Sequence, residues 1–146
     1  MDFAPNSKMV RLDCNVDDMT GEDIGFARER MMADGAREVY IVPVQMKKDR
    51  PGMEINVICS AEDADRLAQS MLINTSTFGV RRTELTGYAL EREARVLETE
   101  FCPVRVKIGW GYGVKKFKLE YEDVAKYAKL ACMPIAQARE QLLKML

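Results

Sequence analysis

From residue 9 to residue 16 apolar and polar positions alternate: Val10, Leu12, Cys14 and Val16 share one face, Arg11, Asp13 and Asn15 the other. That two-residue period predicts a half-buried strand. Thr20-Gly21-Glu22-Asp23 then offers a hydroxyl with a carboxylate three positions on, the pattern of a capping box. The helix it opens runs to about Asp34, places Ile24, Ala27 and Met31 on one face, and ends at Gly35. Residues 39–44 predict a second strand and residues 53–59 a third, with Met53, Ile55, Val57 and Cys59 in phase. Ser60 and Asp63 repeat the capping-box pattern ahead of a helix in which Ala64, Leu67, Ala68, Met71 and Leu72 recur at helical spacing. Residues 78–85 return to strand.

The order βαββαβ over roughly 9–90 predicts a ferredoxin-like α/β sandwich, an antiparallel sheet with two helices on one face. The remainder, 91–146, has a different character. Glu91–Leu97 and residues 104–108 pair around the turn at 98–103, and Val114–Leu119 follows through Gly109-Trp110-Gly111-Tyr112-Gly113. Two short helices close the chain, one from about Tyr121 and one from Pro134, a residue suited to a first helical turn. Ile135, Ala138, Leu142 and Leu146 make the last one amphipathic. The fold class is therefore α+β: a ferredoxin-like subdomain followed by a small three-strand, two-helix subdomain, with a soft boundary near Leu90.

Composition narrows the chemistry. In 146 residues, a hydrophobic fraction of 47% and a charged fraction of 31% are those of a folded domain or two small subdomains. No run approaches the ~18 apolar residues of a membrane span, so no membrane partner is expected. Residues 1–9, with Asp2, Pro5, Asn6 and Lys8, lack the apolar stretch of a secretory signal and read as a frayed leader or a cloning remnant. The four cysteines form no C-x-x-C pair, and buried free thiols in a reducing cytoplasm are the expectation. A net charge of -1 argues against a general nucleic-acid binder. The chain has no histidine, which removes the commonest transition-metal ligand and the commonest general base.

Charge is segregated all the same. Asp13, Asp17, Asp18, Glu22 and Asp23 fall within 12–26 without a base, while Arg105, Lys107, Lys115, Lys116 and Lys118 fall within 102–119 without an acid. Lys47-Lys48-Asp49-Arg50 and Arg81-Arg82 lie between. Bases for phosphates and a few carboxylates for a bridging cation are what a phosphorylated ligand held with a divalent metal asks for. Asp17 and Asp18 stand where the first strand hands over to the first helix. Capping that helix is the commoner role for such a pair; holding a hard cation such as Mg²⁺ or Mn²⁺ is the alternative. Lys47, Lys48 and Arg50 either grip phosphate oxygens or decorate a solvated hairpin tip. The glycine-aromatic segment at 109–113 reads first as an ordinary turn with aromatic packing, and second as a loop that stacks a base and presents Lys115 and Lys116 to phosphates. It matches neither the P-loop nor the dinucleotide fingerprint.

Residues 12–22, Leu12-Asp13-Cys14-Asn15-Val16-Asp17-Asp18-Met19-Thr20-Gly21-Glu22, closely resemble the L-x-x-N-[IV]-D-D-M-[TS]-G-E segment of the LarC family. Pro43-Val44-Gln45-Met46-Lys47-Lys48-Asp49-Arg50-Pro51-Gly52 resembles that family's P-[IV]-x-M-K-K-x-R-P-G loop, and residues 75–81 and 118–123 fit its pattern too. The resemblance implies the C-terminal part of a nickel-insertion protein, a cyclometallase of the lyase class. Such a protein places nickel into pyridinium-3,5-bisthiocarboxylate mononucleotide to complete the nickel-pincer cofactor of lactate racemase-type enzymes, consuming CTP with Mn²⁺ or Mg²⁺. It implies Asp17 and Asp18 near the cation, Lys47, Lys48 and Arg50 on the triphosphate, and Arg81, Lys116 and Lys118 as further phosphate contacts. No catalytic residue is singled out. The histidine-rich nickel-binding half has no counterpart here, so the partners implied are CTP, that N-terminal half and further copies of the chain, in the cytoplasm. A ferredoxin-like regulatory or oligomerisation module that binds no nucleotide is one rival reading; RNA binding through Trp110, Tyr112 and the nearby lysines is the other, disfavoured by the charge balance.

Overall fold

The computed structural model describes residues 3–146, arranged as two compact units: Pro5–Tyr88, and Ala89–Leu146 with residues 3–4. In the first unit β1 (Ser7–Val16), α1 (Gly21–Ala33), β2 (Glu38–Met46), β3 (Arg50–Cys59), α2 (Ala64–Asn74) and β4 (Arg81–Gly87) follow the expected βαββαβ order. The strands lie β2-β3-β1-β4, every neighbouring pair antiparallel, which is the ferredoxin-like sheet. β1 is central and paired on both sides, with Leu12 opposite Val57 and Arg82. Its apolar phase is buried together with Ile24, Ala27 and Met31 of α1 and Leu67 and Met71 of α2. Burying one such large side chain stabilises the fold by roughly 1.5–3 kcal/mol.

The capping signals are realised in two ways. Thr20 caps α1, its hydroxyl accepting from the Asp23 backbone N–H at 3.1 Å, with the Asp23 carboxylate returning to Thr20. Ser60 and Asp63 bond each other as expected, but they do so in the turn before α2 rather than inside its first turn. Leu72 is a correction: it is exposed, and Ser70 takes the buried position and donates to the Asp34 carboxylate. The fourth strand also starts later than expected. Residues 78–80 lie outside it because the Thr77 hydroxyl turns the chain by bonding Gly79.

In the second unit β5 (Glu91–Leu97), β6 (Val104–Gly111) and β7 (Val114–Leu119) form an antiparallel sheet in chain order, followed by α3 (Tyr121–Leu130) and α4 (Ile135–Leu143). Val104, Val124, Tyr127, Ala138 and Leu142 make its core. β6 runs through Trp110 to Gly111, so the glycine-aromatic segment is mostly strand. Its turn is only Tyr112-Gly113, both at positive φ (49° and 76°), the geometry of a tight two-residue hairpin. Tyr112 packs edge-on against Phe3 and donates its hydroxyl to Ala4 O at 2.8 Å.

The expected leader is also corrected, because residues 3–4 meet Tyr112 and β1 begins at Ser7; Met1 and Asp2 lie outside the described residues. All four cysteines are free, and Cys14, Cys59 and Cys102 are buried, but Cys132 is exposed in the turn between α3 and α4. Among the described residues no helix is long and apolar enough to cross a membrane.

Candidate functional site

One end of the four-stranded sheet gathers three connections. β1 leaves the sheet at Val16, β2 turns into β3 at Lys47–Asp49, and the segment from α2 returns at Arg81. Antiparallel pairing puts these ends together: Val16 lies opposite Met53, and Asp13 opposite Arg81. The candidate residues of the first unit fall at or beside this end.

The β1–α1 connection carries Asp17 and Asp18. Neither caps α1, since Thr20 and Asp23 do that work. Each carboxylate instead ties to a different loop. Asp17 accepts from the Arg50 guanidinium at 3.3 Å, and Asp18 accepts from the Ser76 hydroxyl. The Ser76 backbone N–H also contacts Met19 Sδ at 3.4 Å. The two carboxylates thus clamp the β2–β3 hairpin on one side and the α2–β4 loop on the other.

The hairpin tip is tightly built. Pairing continues up to Met46 opposite Arg50, which leaves Lys47, Lys48 and Asp49 as a three-residue connection. Lys48 (φ 60°) and Asp49 (φ 55°) are consecutive left-handed residues, a conformation that side chains other than glycine adopt only when the surroundings enforce it. Just past this tip, Gly52 has no room for a side chain: a Cβ there would stand 2.7 Å from Val16 O and 2.4 Å from Met46 Sδ. The β3 backbone therefore presses directly on the end of β1, and the lysines extend beyond it. Lys47 and Lys48 are exposed and carry no ion pair among the described residues, whereas Arg50 is already engaged.

Arg81 is engaged as well. Its guanidinium reaches from β4 across β1, bonding Asp13 and Asn15, and approaches Glu54 of β3 at 3.8 Å. Asp13 is only 3% exposed although it lies on the sheet face away from the helices, because Arg81 and Arg11 lie against its carboxylate. Arg81 is thus a strap over three strands. Lys116 and Lys118 belong to the other unit, on β7, both exposed and opposite Gly109 and Lys107. Nearby in that unit, Arg105 holds Asp123 through two guanidinium bonds and a backbone N–H, and lowers its pKa to about 2. Lys107 holds Glu120 and lowers its pKa below the ordinary carboxylate value.

Sequence reasoning singled out neither Ser76, Asn15 nor Glu54, and it counted Asp13 only as one of the acids of residues 12–26. Ser76 had a signal, a Ser/Thr run between a helix and a strand, but its partner Asp18 is 58 positions away. Among the described residues no three His, Cys, Asp or Glu side chains are grouped to hold a metal. A closed protein cage for an ion is not built here. Two neighbouring carboxylates do suit Mg²⁺ or Mn²⁺ bound in the manner of metal–nucleotide sites, where phosphates and water supply the remaining oxygens. The arrangement can accept a cation on one side and polyphosphate oxygens on the other.

The family model for "Nickel insertion protein" matches residues 2–139. The chain is 34% identical over 139 residues to the pyridinium-3,5-bisthiocarboxylic acid mononucleotide nickel insertion protein of Acetivibrio thermocellus, covering 95% of this chain and 34% of that protein. It is 36% identical over 115 residues to the protein of the same name in Alkaliphilus metalliredigens, covering 79% and 27%. The chain spans about a third of the length of the curated relatives it matches. Among solved structures, it is similar to the apo form of the C-terminal domain of a cyclometallase involved in the synthesis of the NPN cofactor of lactate racemase. That match has a TM-score of 0.83 and 30% identity, and covers 94% of this chain and 95% of the other.

Proposed function

The chain belongs to the nickel insertion protein family, as its C-terminal domain, and from that premise we propose that it is the part of such a protein that binds CTP with Mn²⁺ or Mg²⁺. The observation that carries the reading is the convergence of Asp17 and Asp18 with Lys47, Lys48 and Arg50 at one end of a rigid sheet. Asp17 and Asp18 hold the cation, which bridges and neutralises phosphate oxygens. Lys47 and Lys48, exposed and without an ion pair among the described residues, meet the triphosphate first. Arg50 joins them when the cation takes over Asp17. Cleaving a nucleotide triphosphate depends chiefly on positioning and charge neutralisation, so the chemistry is compatible with a chain that has no histidine.

Nickel is the cargo of the whole protein. With no histidine in this chain, its ligands are assigned to an N-terminal half, and the two halves together complete the nickel-pincer nucleotide cofactor in the cytoplasm, with several copies assembled.

Calorimetric titration with CTP, with and without Mn²⁺ and with ATP as control, tests the reading. Saturable, metal-dependent binding that prefers CTP and is lost in Lys47→Ala and in Asp17→Ala is the expected result. Absence of binding both alone and with the N-terminal half added would overturn it, and would leave a regulatory or oligomerisation module.

A further inference from the structure

Phe78 is 106% exposed, against 73% or less for every other large apolar side chain among the described residues. A phenyl ring left wholly in water forgoes the stabilisation that burial gives every other large side chain of the unit's core. The loop that presents it is nonetheless held in place. The Thr77 hydroxyl donates to Gly79 O at 2.8 Å and accepts from Gly79 N–H at 3.3 Å. Thr75 anchors the loop's start by donating to Met71 O at 2.7 Å. Ser76, two residues before the ring, bonds Asp18. Two residues of chain span at most about 7 Å. The backbone that carries the ring is therefore held a short reach from Ser76 and the Asp18 carboxylate it bonds.

We infer that Phe78 is the stacking platform for the nucleobase, a step that rests on the nucleotide reading above. A metal-bound nucleotide has one charged end and one flat aromatic end. The charged end belongs with Asp17, Asp18 and the lysines, and the loop tied to Asp18 through Ser76 presents a flat, solvated apolar face. The residues flanking the ring in the loop, Ser76, Thr77 and Gly79, are polar or small, which suits a ligand that is itself polar at its edges. Stacking is tolerant of base identity because every base has a π face. Phe78 thus contributes affinity common to CTP and ATP, and preference for cytosine comes from contacts to the base edge elsewhere.

The test is titration of the full chain and of Phe78→Ala and Phe78→Trp with Mn²⁺–CTP and with Mn²⁺–tripolyphosphate, which lacks base and sugar. The expected result is a loss on the order of 10-fold or more in CTP affinity for Phe78→Ala, with tripolyphosphate binding unchanged and CTP binding kept in Phe78→Trp. Phe78→Ala binding CTP like the parent would overturn the inference and leave the nucleotide reading standing. So would equal losses for CTP and tripolyphosphate, which would make the loop a positioning element. A change of oligomeric state with CTP affinity intact would also overturn it, because another copy of the chain would then be what covers the ring. A parent chain that binds neither ligand overturns the nucleotide reading itself.

Discussion

Arg50 and Asp17 face each other at 3.3 Å, joining the β2–β3 hairpin to the end of β1. The two residues carry opposite charges and belong to opposite halves of the proposed site, the phosphate side and the cation side. Without a ligand they neutralise one another, and a metal–nucleotide has to replace this pair with two better ones.

An exposed pair of this kind contributes at most about 1 kcal/mol to folding. Arg50→Ala is therefore expected to leave the urea midpoint nearly unchanged while weakening Mn²⁺–CTP by roughly 10-fold or more, the worth of a charge-assisted hydrogen bond to phosphate. Equilibrium unfolding and titration on the same preparation measure the split. Equal losses in both would mean that Arg50 is structural.

Arg81 is expected to behave in the opposite way. Its removal leaves the buried Asp13 carboxylate with only Arg11 against it, 3.6 Å away. Arg81→Ala should cost about 1–3 kcal/mol of stability, clearly more than Arg82→Ala, whose ion pairs to Asp65 and Glu84 are exposed. Paired denaturant curves of the two variants decide the matter.

Gly52 has no room for a side chain. In Gly52→Ala the methyl group meets the Val16 carbonyl, which is held in the β1–β3 ladder and cannot swing aside as the Met46 thioether can. The expected loss is more than about 1 kcal/mol, together with displacement of Lys47 and Lys48 and weakened nucleotide binding. A parent-like melting temperature would show that the close approach is relaxed at little cost.

How much of this was legible in the sequence depends on range. The alternation of Val10, Leu12, Cys14 and Val16 and the Thr20–Asp23 box are local patterns, and both appear as read. The Asp17–Arg50 and Asp18–Ser76 contacts join positions 33 and 58 apart, and no window along the chain contains them. Leu72 and Ser70 differ by two positions on a helix, and only the packing of α2 decides which of them faces inward. Phe78 has strand propensity, but Thr77 and Gly79 on either side form a turn that overrides it. Arg81 was read for its charge, and its partners on β1 were invisible until the strands were paired.

Acid titration addresses the second unit. Bonds from the Arg105 guanidinium and backbone lower the Asp123 pKa from the ordinary 3.8 to about 2. Because the folded-state value is depressed, the stabilisation is complete above about pH 4 and is lost as pH falls towards 2. Asp123→Asn should therefore be less stable than the parent at neutral pH, with the gap closing between about pH 4 and 2. A gap independent of pH would assign the loss to packing rather than to the charge.

The central position of β1 has a consequence for synthesis. Of the four strands of this unit it emerges from the ribosome first, yet its two neighbours, β3 and β4, are complete only at Cys59 and Gly87. The local β2–β3 hairpin can close at once and β1 can join β3 once Cys59 has emerged, but until the last strand of the unit arrives β1 waits with its other edge open. A ribosome stalled before Gly87 would hold an aggregation-prone nascent chain, and release of β4 is the event that closes the domain.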